Sequence, residues 1–383
     1  MSQIKQQYKF SRHSNHLGKD DSISLWQKIH IDPWLMLLLI TISCIGLTIL
    51  YSASNQNIDL VFRQSVSYFI GFMVMIVMAQ IPPSFYRTLT PIFYIGGIFL
   101  LVLVLVIGEV RMGAQRWIRI PGFGSVQPSE FMRLGMPMMT AWFLSKRELP
   151  PNLITVLSTL ALIILPVLLI AKEPDLGTSL LVAVSGIFVL FLAGLPWWMI
   201  GTAIAILIPF IAILWNFLML PYQKQRVLTL LNPESDVHGA GWNIIQSKTA
   251  IGSGGLSGKG YLEGTQSHLE FLPEGHTDFI IAAFSEEFGL FGVCVLMFIY
   301  ACLLARTLYL AVINTSVYGG LLSGAIGLSF FVYIFVNVGM VGGILPVVGV
   351  PLPLISYGGT ALITLMAGFG LVMSVHTHQQ HKI

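Results

Sequence analysis

Charge is what this chain has least of. Only 10% of its 383 residues are Asp, Glu, Lys or Arg, against 55% hydrophobic, and the mean hydropathy is +0.80. Soluble domains carry about 25% charged residues, so an ordinary globular fold is excluded. Cysteine is nearly missing too. Cys44, Cys294 and Cys302 all lie inside apolar runs, which leaves no disulfide framework and no zinc spacing. Strand-like alternation is absent, and backbone groups in lipid then call for helices, not a barrel. No cleavable signal is expected, because the first apolar run is long, starts at Pro33 and has no small-residue cleavage site behind it. No cytosolic connection is long enough for a nucleotide-binding domain, which argues against an ATP-driven pump.

What the chain does have is apolar runs, at 33–53, 60–79, 92–107, 131–144, 153–171, 176–193, 197–220, 288–305, 318–338 and 361–375. Most approach the roughly 17–25 residues of a spanning helix; the third, fourth and tenth are short and borrow flanking residues. The expected fold is an all-α integral membrane protein of about ten transmembrane helices. Residues 1–31, with Lys5, Lys9, Arg12, Lys19 and Lys28, form a cytosolic tail, and 32–218 hold helices 1–7. Residues 219–287 form a large extracytoplasmic loop with a re-entrant or interfacial segment. Helices 8–10 occupy 288–375, and 376–383 is a second cytosolic tail, whose His376, His378 and His381 read as solvated.

In this topology basic residues divide about evenly between the two sides, against the positive-inside rule. Arg111, Arg116 and Arg119 lie outside in a short loop; Lys224, Arg226, Lys248 and Lys259 lie in the long one. Cations kept outside at a topological cost point to an anionic ligand such as a phosphate or pyrophosphate. Outer-leaflet headgroups are the plainer alternative. The stretch IGSGGLSGKG (251–260) fails the phosphate-loop template, with Ser253 in place of Gly and Gly260 in place of Ser or Thr. It reads as a closely packed turn whose amides and Lys259 can still touch a lipid phosphate.

The stretch FLPEGHTDFIIAAFSEEFG (271–289) crowds Glu274, His276, Asp278, Glu286 and Glu287 at the start of an apolar run. With Arg306 at the cytosolic interface, Glu286 and Glu287 fall at the outer one. Asp278 then lies about two turns earlier on a short dipping or interfacial helix. Thr277 suits the N-cap, so Asp278 is either a capping and dipole residue or a base. In GAQRWIRIPGFGSVQPSE (113–130), Trp117 can stack on a sugar or anchor at headgroups, and Arg116 can fork onto a phosphate. Glu130 is either dipole-stabilised or holds a cation. In AKEPDLGTSLL (171–181), Asp175 stands where it caps at Thr178, with Lys172 and Glu173 at the outer interface. In 337–361, Pro346, Pro351 and Pro353 forbid one continuous helix. This Pro/Gly-rich break before helix 10 is expected to line a cavity beside Asp278.

These blocks resemble the SEDS family (shape, elongation, division and sporulation). The resemblance rests on GAQRWI, QPSE, EPDLGTSLL, QRVLTLLNPESD, GAGWNIIQSKTAIGSGGLSGKG, EFLPEGHTDFI and a final PLPLISYGGTA, in that order over nearly the whole chain. The wording is closest to the rod-elongation branch of the family. It implies a ten-span inner-membrane peptidoglycan glycosyltransferase that polymerises lipid II outside the cytosol, beside a class B penicillin-binding protein and other elongation-complex membrane proteins. No nucleic-acid partner is expected. A flippase for lipid II and a non-catalytic scaffold are the alternatives. The resemblance assigns catalysis to Asp278 and maps Trp117 and Glu130 onto family positions. The expected substrate-binding set is Trp117, Arg116, Gln127, Glu130, Lys172, Arg226, Lys248, Lys259, His276 and Ser356. No residue is assigned as a metal ligand, although a divalent cation (Mg or Mn) at the pyrophosphate is a possible cofactor. Family members usually carry Gln where this chain has Glu173.

Overall fold

The computed structural model describes residues 29–111, 114–120, 124–236, 239–265 and 275–380. The tail lysines and Arg12, together with Glu274 and His381, lie outside these residues. The helices are α1 (Pro33–Ala53), α2 (Ile58–Gln80), α3 (Pro83–Ile107), α4 (Pro128–Leu144), α5 (Leu153–Lys172), α6 (Leu176–Leu192) and α7 (Trp197–Ile213). After a π turn at Leu214–Leu218 come α8 (Pro221–Leu231), α9 (Ala240–Gly254), α10 (Ile280–Val312), α11 (Val317–Val341) and α12 (Gly359–Gln380). Among the described residues eight helices are long and apolar enough to cross a membrane, and α6 is a shorter apolar one. Each apolar run falls on one of these helices or on α4.

Local chemistry explains where the helices start. Asp32 Oδ1 accepts from the Leu35 amide at 2.9 Å ahead of α1, and Pro33 occupies the first turn. Asn152 caps α5 in the same way, at Thr155. Asp175 caps α6 at the Thr178 amide, 3.1 Å away, as the Asp-x-x-Thr spacing predicts. Packing then sorts the helices. In α11 and α12, 67% of the spanning window is buried, whereas in α7 none is. The first two form the centre of the bundle, and α7 faces outward along its length.

Two polar ends result. At one, Arg306 pairs with Asp32 at 2.5 Å and His30 Nδ1 meets Thr377 Oγ1 at 3.2 Å. This joins the start of α1 to the ends of α10 and α12. At the other end lie the α1–α2 turn, the 109–126 segment, the α5–α6 turn and the start of α10.

The third run borrows flanking residues as expected, back to Pro83, with Pro91 accommodated inside a 25-residue helix. Other expectations need correction. Residues 109–126 contain a small antiparallel sheet in the order β1 (Glu109–Arg111), β2 (Ala114–Ile120), β3 (Gly124–Val126), with strands too short to show alternation. The α12 helix continues to Gln380, so His376 and His378 are helical. His378 stacks on His30 with ring centroids 3.9 Å apart. Helix α10 starts before the apolar run and ends beyond Arg306.

At 33 residues α10 is too long for one straight span, and Gly289 breaks it with φ 64° and ψ −169°. The break strips intrahelical partners from nearby backbone groups, which lipid cannot replace. The 251–260 stretch supplies them. Lys259 and Gly260 amides donate to the Glu286 and Glu287 carbonyls at 3.0 and 3.1 Å. The Leu290 and Phe291 amides donate to Gly255 and Leu256, both at 3.0 Å. Backbones approach so closely that a β-carbon on Gly258 would overlap the Glu287 carbonyl. The glycine run is a packed brace for the kink.

Candidate active site

Asp278 sits in the turn just ahead of α10. The helix starts at Ile280 with Phe279 as its N-cap residue, so the N-cap position falls two residues after the Thr277 that the sequence suggested. Asp278 is half-buried. Its surroundings come from the broken 343–358 segment, which the bundle fixes through side chains. Asn337 of α11, 0% exposed, donates from Nδ2 to both the Asp278 carbonyl (2.8 Å) and the Val350 carbonyl (2.7 Å). Ser356 Oγ donates to the Thr277 carbonyl at 2.5 Å and accepts from the Leu352 amide at 2.8 Å. The Tyr357 amide donates to the His276 carbonyl at 3.0 Å. Tyr68 of α2 and Tyr300 of α10 donate their hydroxyls to Leu354 and Pro353 at 2.5 and 2.6 Å. Gln64 brackets the end of the segment, donating to Ser356 and accepting from Gly358, each at 3.3 Å.

These bonds fix the main chain on both sides of Asp278 and bring Gly349 opposite its side chain. A β-carbon at Gly349 would lie 3.4 Å from Asp278 Oδ2. On its other face the segment joins Arg133 and Tyr333 around a cavity of about 20 Å³, room for roughly one water molecule. The expected neighbourhood of the break and Asp278 is therefore present. Asn337, Gln64, Tyr68 and Tyr300 were missed, although a polar Asn or Gln inside an apolar run is itself a signal.

A second polar cluster joins the sheet to the bundle. Arg116 of β2 donates from Nε to the Glu173 carbonyl at 3.1 Å and through a terminal nitrogen to the Pro174 carbonyl; it lies 3.9 Å from Asp175 Oδ2. Its fork is thus engaged with the α5–α6 turn. Gln127 donates to Asp175 at 2.9 Å. Glu130 pairs with Arg133 at 2.9 Å, and Arg133 reaches Thr178 at 3.2 Å and lies over the Tyr333 ring. Trp117, half-buried, sits on β2 opposite Glu109. The cluster touches the Asp278 region through Gly177, where a β-carbon would lie 2.9 Å from the Val348 carbonyl.

The remaining predicted residues separate. Lys259 binds Glu286 at 2.6 Å and Thr265 Oγ1 at 2.7 Å. Glu286 and Glu287 are 0% and 1% exposed, not surface charges at an interface. Glu286 also accepts from the Thr265 amide at 2.9 Å, and Glu287 accepts from Ser52. The brace loop folds over them, so they lie inside. Lys248 of α9 is exposed and packs on Gly343, where the broken segment begins. Arg226 and Lys172 are exposed. His276 lies 6.3 Å from the Tyr357 ring.

A helical membrane bundle with a clamped acidic turn at one polar end is the class that fold and site define. Residues 31–381 match the FtsW/RodA/SpoVE family of cell cycle proteins, and the chain belongs to that family, the SEDS family its motifs resemble. It is 52% identical over 357 residues to the peptidoglycan glycosyltransferase MrdB of Escherichia coli (strain K12), covering 93% of this chain and 96% of that one. The probable peptidoglycan glycosyltransferase FtsW of Geobacter metallireducens is 34% identical, over 91% and 95% of the two chains. A chain from a solved peptidoglycan synthase complex, described for its coordination of polymerization and crosslinking, matches with a TM-score of 0.79. The identity is 31% and the cover 91% and 98%. RodA of Thermus thermophilus matches with a TM-score of 0.67 at 29% identity, over 90% and 96%.

Proposed function

We propose that the chain is a peptidoglycan glycosyltransferase that polymerises lipid II into β-1,4-linked glycan strands during cell elongation. The observation that carries this is Asp278, a half-buried carboxylate on a turn whose main chain Asn337 and Ser356 hold from both sides. An acceptor sugar hydroxyl gives its proton to Asp278 and attacks the anomeric carbon of the donor. The bond to undecaprenyl pyrophosphate breaks with inversion. The leaving group is already activated, so one general base suffices and contributes ~10²–10⁴-fold. A fixed turn matters because misplacement by an ångström costs about 10²-fold.

Lys248, exposed and packed on Gly343 where the broken segment begins, is a cation that suits the departing pyrophosphate, whereas Arg116 and Lys259 are engaged in holding the fold. A divalent cation, Mg or Mn, fits as an ion shared with substrate. Among the described residues no three His, Cys, Asp or Glu gather as a ligand set. Magnesium usually keeps several waters and binds largely through substrate phosphates. Held there, with Asp278 left to act as the base, it would neutralise charge on the pyrophosphate.

The chain is read as a multi-pass protein of the bacterial inner membrane, with the Asp278 end facing the periplasm. The basic composition of the sequence that precedes α1 supports this, since α1 starts at the opposite end. A class B penicillin-binding protein, among other elongation-complex membrane proteins, is the expected partner. The likeness to a chain of a synthase complex supports it. Reconstitution with that partner and purified lipid II tests the function. Glycan strands on a gel are expected. Transfer of fluorescent lipid II between leaflets without any polymer would replace the glycosyltransferase with a flippase.

A further inference from the structure

Glu173 lies where the sheet meets the bundle, and the reaction above makes no use of it. Its side chain is 0% exposed, and neither carboxylate oxygen has a hydrogen-bond partner among the described residues. The surrounding polar groups are committed elsewhere. Arg116 of β2 donates to the backbone carbonyls of Glu173 and Pro174 and stands 3.9 Å from Asp175. Asp175 caps α6 and accepts from Gln127. Beyond it are the Glu130–Arg133 pair of α4 and Tyr333 of α11. Lys172, the preceding residue, is exposed.

A bare carboxylate buried without donors is strongly disfavoured, whereas a neutral carboxylic acid there is tolerated. We propose that Glu173 is a positioning residue that works as the neutral acid. Uncharged, it leaves Arg116 to clasp the 173–175 turn and so seats the Trp117 strand beside the Asp278 site. Ionised, it becomes a second anion next to Asp175 and draws the guanidinium from the backbone carbonyls, which loosens the strand. Gly177 links the clasp to catalysis through its close approach to Val348, one residue before the Gly349 that faces Asp278.

The direction of titration agrees with this. Burial, and then Asp175, push the acid up, Arg116 opposes them, and the result is about 8. Below that pH Glu173 is neutral and the clasp is closed; above it the proton leaves and the clasp opens.

The inference rests on the proposed glycosyl transfer, so its test has one reading with activity and one without. The full chain and its Glu173→Gln variant are assayed with the partner synthase and lipid II from neutral to alkaline pH. In parallel, amide exchange over residues 114–120 is followed and corrected for intrinsic exchange at each pH. The unsubstituted chain should lose rate on the alkaline side, approaching tenfold per pH unit past the inflection. Protection of 114–120 should fall over the same interval. The Gln variant should keep both rate and protection there. Should Gln not fold, Glu173→Met, equally neutral, takes its place. An alkaline loss unchanged in the neutral variant overturns the proposal. So does a folded variant that is unprotected at neutral pH. If no chain makes polymer at any pH, the glycosyltransferase reading fails, while the exchange profile still decides on Glu173.

Discussion

Asp278 and Glu286 stand eight positions apart on one short stretch, and the fold treats them in opposite ways. Glu286 is 0% exposed and accepts from Lys259, the Thr265 amide and the Thr265 hydroxyl, at 2.6, 2.9 and 3.0 Å. Asp278 is half-buried; Asn337 and Ser356 fix the main chain of its turn, and its carboxylate faces Gly349. A carboxylate ringed by donors holds structure together. One that stays only half-buried on a clamped turn keeps a face that a substrate can reach. Sequence places both at the edge of an apolar run, and only tertiary partners tell them apart.

The comparison can be broken most forcefully at Glu286. Glu286→Gln removes the charge that Lys259 and Thr265 gather around, and with it the tie between the brace loop and the α10 kink. We expect a loss of about 3 kcal/mol, the low end for a broken buried pair because Lys259 keeps contact with water. Thermal unfolding in detergent checks this; an unchanged midpoint would make Glu286 a bystander. A smaller effect sharpens the other half of the contrast. Ser356→Ala leaves the Thr277 carbonyl and Leu352 amide without their shared hydroxyl, at a cost of about 1–3 kcal/mol. Because it acts through the Asp278 turn, it should lower kcat with little change in KM for lipid II. A raised KM with kcat intact would return Ser356 to the substrate-binding role expected from sequence.

Much of the fold was legible because lipid imposes a simple rule, that long apolar runs become helices. The Asp175 cap was legible because its partner is three residues away. The break in 337–361 was legible because proline cannot continue a helix. What was not legible depended on distant partners. Lys259 lies 27 positions from Glu286, and Arg116 lies 57 from Glu173. Charged residues beside an apolar run look like an interface until a loop is seen to fold over them. The short strands of 109–126 left no pattern to read. Trp117 and Arg116 drew attention by type, yet only contacts separate an arginine that clasps a turn from one that awaits a phosphate.

The central claim is that the clamped carboxylate at 278 removes the proton from the attacking sugar. Its most direct test compares initial rates of lipid II polymerisation by the unsubstituted chain and Asp278→Asn, each with the partner synthase and with matched unfolding midpoints. The account predicts a fall of at least about 10²-fold with stability and partner binding retained. A rate within about twofold of the original would contradict it, since proton transfer in that range cannot be missing.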